Sequence, residues 1–271
     1  DNVVPYILEC ARAYCTLYEI RAALEDVFGA YREPVFFESG SLGATHFDAK
    51  YLHEYEPLFT ATRDREEVRR LVEILGEVPA GARVLDCPCG QGRHAHLLAE
   101  NGYLVDGLDY SSALLDVAKA RGTGPSLRYT QGDMRKLPAR WSGRFDAVVN
   151  LFTSFGFFDS PSDDRRVLAE FARVLKPGGL LVWHGGNRDG VMAKFLARDW
   201  WTTADGTMFA QERRFDPLSG FLHVHGSWRG PDGEGEREHK IRLYNSSHLA
   251  ERLAEGDSGG GDGVQVESRA R

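Results

Sequence analysis

The sequence predicts an α/β domain, a doubly wound and mostly parallel sheet with an antiparallel cover after its fifth strand. Three observations predict it. From Val84 to Trp183, short apolar runs alternate with helically periodic segments across short connections, the pattern of a parallel sheet with helices on both faces. The stretch Arg83-Val-Leu-Asp-Cys-Pro-Cys-Gly-Gln-Gly-Arg93 reads as a buried strand entering a glycine turn and then a helix. After Trp200 the grammar changes to three strand-like runs, Thr207 to Phe215, Phe221 to Trp228 and Arg237 to Tyr244. They are separated by Pro217-Leu-Ser-Gly220 and Gly230-Pro-Asp-Gly233, turns that predict hairpins.

In chain order, residues 1–40 form a helical appendage, with Ile7, Leu8, Ala11, Tyr14, Leu17, Tyr18, Leu24 and Val27 at helical spacing. Gly40 to Gly43 is a loop. A helix from Arg65 to Leu75 turns Val68, Leu71, Val72 and Leu75 inward, and Gly76 and Pro79 stop it. The regular series follows: strand Val84 to Leu85, helix Arg93 to Glu100, strand Tyr103 to Leu108, helix Ser111 to Ala120 and strands Leu127 to Gln131 and Phe145 to Leu151. Helix Ser162 to Leu175, a sharp turn at Lys176-Pro-Gly-Gly179 and strand Leu180 to Trp183 complete it. The hairpins, about residues 205–245, lie between the fifth strand and a last helix, Ser247 to Ala254, and so project as a cover from the carboxyl edge of the sheet. The main domain therefore spans 41–254, and 255–271 is a flexible glycine-rich tail.

A formal charge of −7 over 271 residues argues against nucleic acid as a partner, since gripping phosphates takes basic surface. No apolar run approaches the roughly 18 residues of a membrane span, and no signal pattern opens the chain. The expectation is a soluble cytoplasmic protein without a membrane partner. The four cysteines, Cys10, Cys15, Cys87 and Cys89, are too few for a disulfide framework and lack a second pair at zinc-like spacing, so no metal is expected.

Gly90 and Gly92 let the backbone turn tightly and approach a ligand, with Asp86 at the strand end. Asp109 ends the next strand about twenty residues on, where a carboxylate accepts hydrogen bonds from ribose hydroxyls. Asp133, in Gly132-Asp133-Met134, is placed to accept from an adenine amine while Met134 packs on the ring. Each carboxylate alone reads more readily as a cap or a solvated loop residue, and a glycine turn alone also fits a dinucleotide site.

In order, Val84-Leu-Asp-Cys-Pro-Cys-Gly-Gln-Gly92, Val105-Asp-Gly-Leu-Asp109, Gln131-Gly-Asp133, Phe145-Asp-Ala-Val-Val-Asn150 and Leu175-Lys-Pro-Gly-Gly179 resemble the motifs of the class I S-adenosylmethionine-dependent methyltransferases of small-molecule type. The resemblance covers roughly Phe47 to Ala254 and implies a Rossmann-like fold with S-adenosylmethionine as cofactor. It implies cofactor contacts at Tyr51, Asp86, Gly90, Gly92, Arg93, Asp109, Tyr110, Asp133, Met134 and Asn150. Pro88 departs from it by replacing the first glycine of the motif and removing an amide donor. The tail departs too: such a sheet ends with two more strands, and only Val264-Gln-Val-Glu267 follows the glycine run, so at least one C-terminal strand is missing from the pattern and a sheet edge is expected to be exposed.

The resemblance implies methyl transfer from the cofactor to a nitrogen or oxygen of a small molecule by in-line displacement. Alignment alone supplies on the order of 7 to 11 kcal/mol, so an amine needs no dedicated base and a hydroxyl gains from one. His184, just beyond the fifth strand, is the base candidate, and its plainer reading is a loop histidine bonded to backbone. His46, His53, His223 and His225 are weaker candidates. The ring-rich run Asn150-Leu-Phe-Thr-Ser-Phe-Gly-Phe-Phe158 borders the methyl position in this fold, with Trp183, Trp200 and Trp201 as further wall. Phe155 and Trp200 are expected to line a pocket for an apolar or aromatic acceptor, and Tyr51 and Tyr55 to close over the cofactor. The alternative is a methyltransferase-fold protein that binds the cofactor without transferring methyl, as a non-methylating cyclase or a partner-binding subunit. The N-terminal helices favour a lid or a homo-oligomer.

Overall fold

The computed structural model describes residues 47–76 and 78–249. The chain divides into two compact units, 1–40 and 41–271, and all the described residues belong to the second. The N-terminal appendage, the glycine-rich tail and His46 lie outside the described residues.

Helix α1 (Ala49–Glu54) is capped by Asp48, whose side chain accepts from the Tyr51 amide. Helix α2 (Ala61–Leu75) begins four residues before the periodicity predicts, because the Thr60 side chain caps it by accepting from the Arg63 amide. Five parallel strands follow, β1 (Arg83–Asp86), β2 (Leu104–Asp109), β3 (Leu127–Gln131), β4 (Phe145–Asn150) and β5 (Leu175–Trp183), in the order β3-β2-β1-β4-β5. Helices α3 (Arg93–Glu100), α4 (Ser112–Arg121) and α5 (Pro161–Val174) connect them.

Strand β1 shows why its residues are apolar on both sides. Val84 and Leu85 are both fully buried, but they serve different cores. Leu85 joins Val148, Phe171, Trp141 and Phe145 on one face, and Val84 joins Leu71, Leu98 and Ala147 on the other. The helix-stopping turn predicted at Lys176 to Gly179 is instead a bulge inside β5. Leu175 already pairs with Phe145, and the register then jumps to Ala147 opposite Leu180. A Cβ on Gly179 would sit 2.9 Å from the Lys176 carbonyl oxygen, so the bulge needs glycine there.

A short helix, α6 (Arg188–Ala193), leads into a second sheet of four antiparallel strands, β6 (Arg198–Thr202), β7 (Met208–Phe215), β8 (Phe221–Gly230) and β9 (Gly233–Arg242). The hairpins are as predicted. Strand β6 was not: it is short, carries charges at Arg198 and Asp199, and only its pairing with β7 makes it a strand. Residues 246–249 are helical, and the rest of the predicted last helix lies outside the described residues. Among the described residues β5 pairs with β4 alone, and no helix is long and apolar enough to cross a membrane.

The antiparallel sheet is tied to the parallel one at the end of β9. The Arg242 amide donates to the Gly156 carbonyl at 2.8 Å, and its guanidinium forms an ion pair with Asp164 of α5 and donates to the Asp159 carbonyl. Tyr244 Oη donates to the same Asp164 carboxylate at 2.6 Å. A Cβ on Gly156, φ +103°, would lie 2.4 Å from the Arg242 carbonyl oxygen, so the loop after β4 meets β9 backbone to backbone.

Candidate active site

The glycine turn closes the carboxyl end of β1. Pro88 costs it no needed hydrogen bond, because the amides on either side are used: Cys87 donates to the Val149 carbonyl and Cys89 to the Leu108 carbonyl, both at 2.9 Å. Gly90 and Gly92 both have positive φ, +54° and +73°, yet they are glycines for different reasons. A Cβ on Gly92 would lie 2.4 Å from Tyr129 Oη and 2.9 Å from Ala118 Cβ, whereas one on Gly90 would meet nothing within 4 Å. Gly92 is needed for packing, and Gly90 borders open space. The Cys87 and Cys89 thiols are buried and pushed up by that burial, so they stay protonated core groups.

Asp109 lies where the sequence predicts. Its Oδ2 accepts from the Gly90 amide and its Oδ1 from the Ser111 amide, both at 2.8 Å. Burial raises its pKa, and the backbone N–H donors oppose the rise. Asp86 is 1% exposed and titrates at about 8, pushed there by burial, with Asp109 adding to the rise and Arg93 and the Ala95 amide working against it. Its Oδ2 has no hydrogen-bond partner, nor does the buried Asn150 Oδ1, although Asn150 Nδ2 donates to the Cys87 carbonyl at 2.8 Å. Two unmatched acceptors therefore sit at the carboxyl ends of the neighbouring strands β1 and β4, an arrangement that asks for a donor from outside the chain.

Three expected cofactor residues do other work. Arg93 Nη1 is bound by Asp64 at 2.6 Å and Glu67 at 2.5 Å, and the guanidinium stands 4.7 Å from the Phe152 ring centroid. It staples α3 to α2, because a buried guanidinium takes the nearest carboxylates. Asp133 is held by Arg135, which donates from its backbone and guanidinium at 2.7 to 3.1 Å. Partial burial works the other way, but these bonds keep its carboxyl below the usual range. Met134 is packed against the core around Phe171. Tyr110 is 45% exposed and Tyr51 is enclosed by rings, with Phe47 at 5.1 Å and Tyr55 at 4.9 Å. Burial first, then Tyr55, raise the Tyr51 phenol, and Asp109 and Arg237 both act on it, so this ring stands between the turn and β9.

The two expected acceptor-side residues sit in unlike places. Phe155 is 2% exposed and packs edge-on to Trp183 and against Tyr244; it belongs to the core and presents no surface to a substrate. Trp200 is 69% exposed on the edge strand β6. Strand alternation gives its neighbour Trp201 the inward position, where the indole stacks on Phe209 and Nε1 donates to the Glu54 carbonyl at 2.8 Å. His184 follows its plainer reading: its amide donates to the Asn150 carbonyl, and Nδ1 accepts a long bond of 3.4 Å from the Phe152 amide. Burial lowers its pKa, so the ring is neutral at pH 7. With Nδ1 accepting, the proton sits on Nε2. His53 is bound by Asp205 and His225 by Glu238, and His223 packs edge-on to Phe221.

Phe152 and Thr153, at the end of β4, hold φ of +57° and +59°, unusual for a ring-bearing and a β-branched residue. The sequence carries no sign of this strain. It also hid a polar cluster under the antiparallel sheet, where Gln211 Nε2 donates to Glu54 at 2.7 Å, Arg213 donates to Gln211 at 2.6 Å, and Arg237 pairs with Glu54. His239, on the same face of the sheet, is driven down to about 4 by burial, then by Arg237 and Arg213. Glu54, an acid at an inward position of a short helix, was the available signal.

Residues 84–179 match the family model described as a methyltransferase domain. Those residues carry a methyltransferase domain. The domain is similar to a glycine/sarcosine N-methyltransferase of Halorhodospira halochloris, 38% identical over 112 residues, 41% of this chain and 42% of that protein. It is also similar to a dTDP-3-amino-3,4,6-trideoxy-alpha-D-glucopyranose N,N-dimethyltransferase of Streptomyces venezuelae, 32% identical over 147 residues, 53% of this chain and 57% of that protein. The chain spans about half the length of the curated relatives it matches. In fold, the chain resembles a SAM-bound amino pentose methyltransferase from Micromonospora echinaspora, with a TM-score of 0.62 and 22% identity over 83% of this chain and 91% of that one.

Proposed function

We propose that the methyltransferase domain binds S-adenosylmethionine at the Gly90 turn and moves its methyl group to a nitrogen of a small-molecule amine. The observation that carries the reading is the open, acid-lined turn: Gly90 faces free space, Asp109 is fixed beside it, and Asp86 Oδ2 and Asn150 Oδ1 are buried without donors. These residues fit the cofactor. Each Asp109 oxygen already takes one N–H and keeps a lone pair for a ribose hydroxyl. Asp86 and Asn150 offer acceptors to an ammonium group, which would also draw the Asp86 proton off. When bound, S-adenosylmethionine supplies an electrophilic methyl on a sulfonium.

Nitrogen is favoured over oxygen by the relatives, named for glycine, sarcosine and amino-sugar nitrogens, and by His184. Its Nε2 carries the proton, so it is a donor to the acceptor molecule and not a base for a hydroxyl. A neutral amine attacks with its own lone pair, and positioning is what the chain provides. Phe59, Phe152, Tyr51 and Tyr55 pack ring to ring; the faces of Phe59 and Phe152 already carry the Arg93 guanidinium, which leaves Tyr51 and Tyr55 as the rings for a cationic centre. The test is incubation with S-adenosylmethionine and a panel of small amines, amino sugars and phenols, with mass spectrometry of the products. An amine gaining 14 mass units (roughly, one methylene, by the chemistry of methyl transfer) together with S-adenosylhomocysteine is expected. Transfer to phenols alone, or cofactor binding with no transfer to any amine, would overturn it.

A further inference from the structure

The amino edge of the parallel sheet, opposite the glycine turn, holds a shallow cleft lined by Arg83, Asp106, Ser126, Arg128 and Arg144. Strand register explains why they meet. Leu85 pairs with Asp106 and Val148, and Asp106 pairs with Arg128. In a parallel sheet such partners share a face, so Arg83, two residues before Leu85, and Arg144, four before Val148, fall on that face too. Three arginines thus share one face around Asp106, and of these Arg144 pairs with it. Asp106 takes a single bond from Arg144 Nη2 at 3.0 Å. No carboxylate among the described residues pairs with the Arg83 or Arg128 side chain. Asp146, the other acid on this face, is held by Lys176 Nζ at 2.7 Å and by the Arg83 amide. Arg144 Nε is buried, 5.7 Å separates its guanidinium carbon from the Phe145 ring centroid, and that N–H has no partner.

One buried, unmatched donor, Arg144 Nε, beside two arginines without a carboxylate partner among the described residues stands out in a protein whose formal charge is −7. The excess of two positive charges over Asp106 is what a phosphate dianion neutralises, and planar guanidiniums match its oxygens in pairs. We infer that this cleft is a second ligand site, separate from the methyl-transfer site, that binds a phosphate group. Ser126 supplies a hydroxyl donor, Arg83 and Arg128 supply the free forks, and Arg144 is braced by Asp106 and Phe145. The source of the group is either inorganic phosphate or a phosphomonoester carried by a small metabolite, and both present the same three oxygens.

The test is calorimetric titration of the full chain with inorganic phosphate and, separately, with ribose 5-phosphate, against chloride at matched ionic strength. One saturable site is expected for at least one of the two. In Arg128→Gln and in Arg83→Gln, affinity should fall about tenfold each, the loss of one charge-assisted contact, while S-adenosylhomocysteine binding stays unchanged. Arg128→Glu, at an exposed position, should abolish phosphate binding and leave the thermal midpoint intact. Tighter binding of ribose 5-phosphate names a phosphomonoester as the source, and equal binding names the free ion. No saturable binding of either, or binding that survives Arg128→Glu, would overturn the site; neither result bears on the methyl-transfer reading.

Discussion

Two of the buried polar regions among the described residues are built on opposite principles. Under the antiparallel sheet, Glu54, Gln211, Arg213 and Arg237 answer one another, and Thr203, Asp205, Thr207 and His53 form a second closed network. At the carboxyl edge of the parallel sheet, Asp86 Oδ2 and Asn150 Oδ1 are left unmatched, beside a glycine with open space before it. A satisfied cluster holds a fold in place; an unsatisfied one persists only where something else completes it. The antiparallel sheet is held by partners within the chain, and the carboxyl edge is where we propose that the ligand binds.

Substitutions should separate these two roles, stability on one side and affinity on the other. The largest effect is expected at Asp109. Asp109→Ala removes the acceptor for two backbone amides and for the ligand, so S-adenosylhomocysteine affinity should fall about a hundredfold or more, the value of two charge-assisted bonds. An unchanged calorimetric affinity would remove Asp109 from the site. In the cover, Trp201→Ala should cost about 2 to 3 kcal/mol of stability by denaturant titration and leave affinity alone. The twin glycines sharpen the contrast within one turn. Gly92→Ala collides with Tyr129 and should cost about 1 to 3 kcal/mol. Gly90→Ala has room and should cost only about 1 kcal/mol of backbone strain, while losing ligand affinity through the Cβ placed in the opening.

The regions should also differ in pH dependence, and the sign follows from the direction of each shift. Asp86 titrates at about 8 in the folded protein and near 4 when unfolded. The folded state therefore binds more protons between these values, and the contribution is full below about 4 and lost as pH rises to about 8. His239, lowered to about 4, acts in the reverse sense: its contribution is present above about 6.5 and lost as pH falls toward 4. Asp86→Asn should thus melt progressively higher than the parent between pH 5 and 8 (about the window set by these values), and saturating S-adenosylhomocysteine should close the gap. A gap that does not change with pH would mean that Asp86 is ionised throughout. The smallest effect belongs to Trp200. Trp200→Ala should change stability by no more than about 0.5 kcal/mol and leave the KM for the amine unchanged; a raised KM would restore it to the acceptor wall.

The carboxyl edge was largely legible in the sequence and the cover was not. Asp86, Gly90, Gly92 and Asp109 stand at fixed offsets from strand ends, so local sequence places them. Arg93 and Asp133 each have a partner that sequence does not rank, Asp64 with Glu67 for one and Arg135 for the other. Sequence does not tell Trp200 from Trp201, because an edge strand of five residues has no apolar alternation to fix its faces. Phe155 lay in the right loop, but β9 pins that loop through Arg242 and Gly156 and turns the ring into the core. The bulge at Lys176 to Gly179 carried a turn signal and is a local distortion inside a strand.

A cofactor site in the open turn between Asp86 and Asp109 is checked by equilibrium titration of the full chain with S-adenosylhomocysteine. One saturable site per chain is expected, lost in Asp109→Ala and weakened in Gly90→Ala with the fold intact by circular dichroism. No binding at about millimolar ligand, a free energy near 4 kcal/mol, or undiminished binding in Asp109→Ala would contradict it.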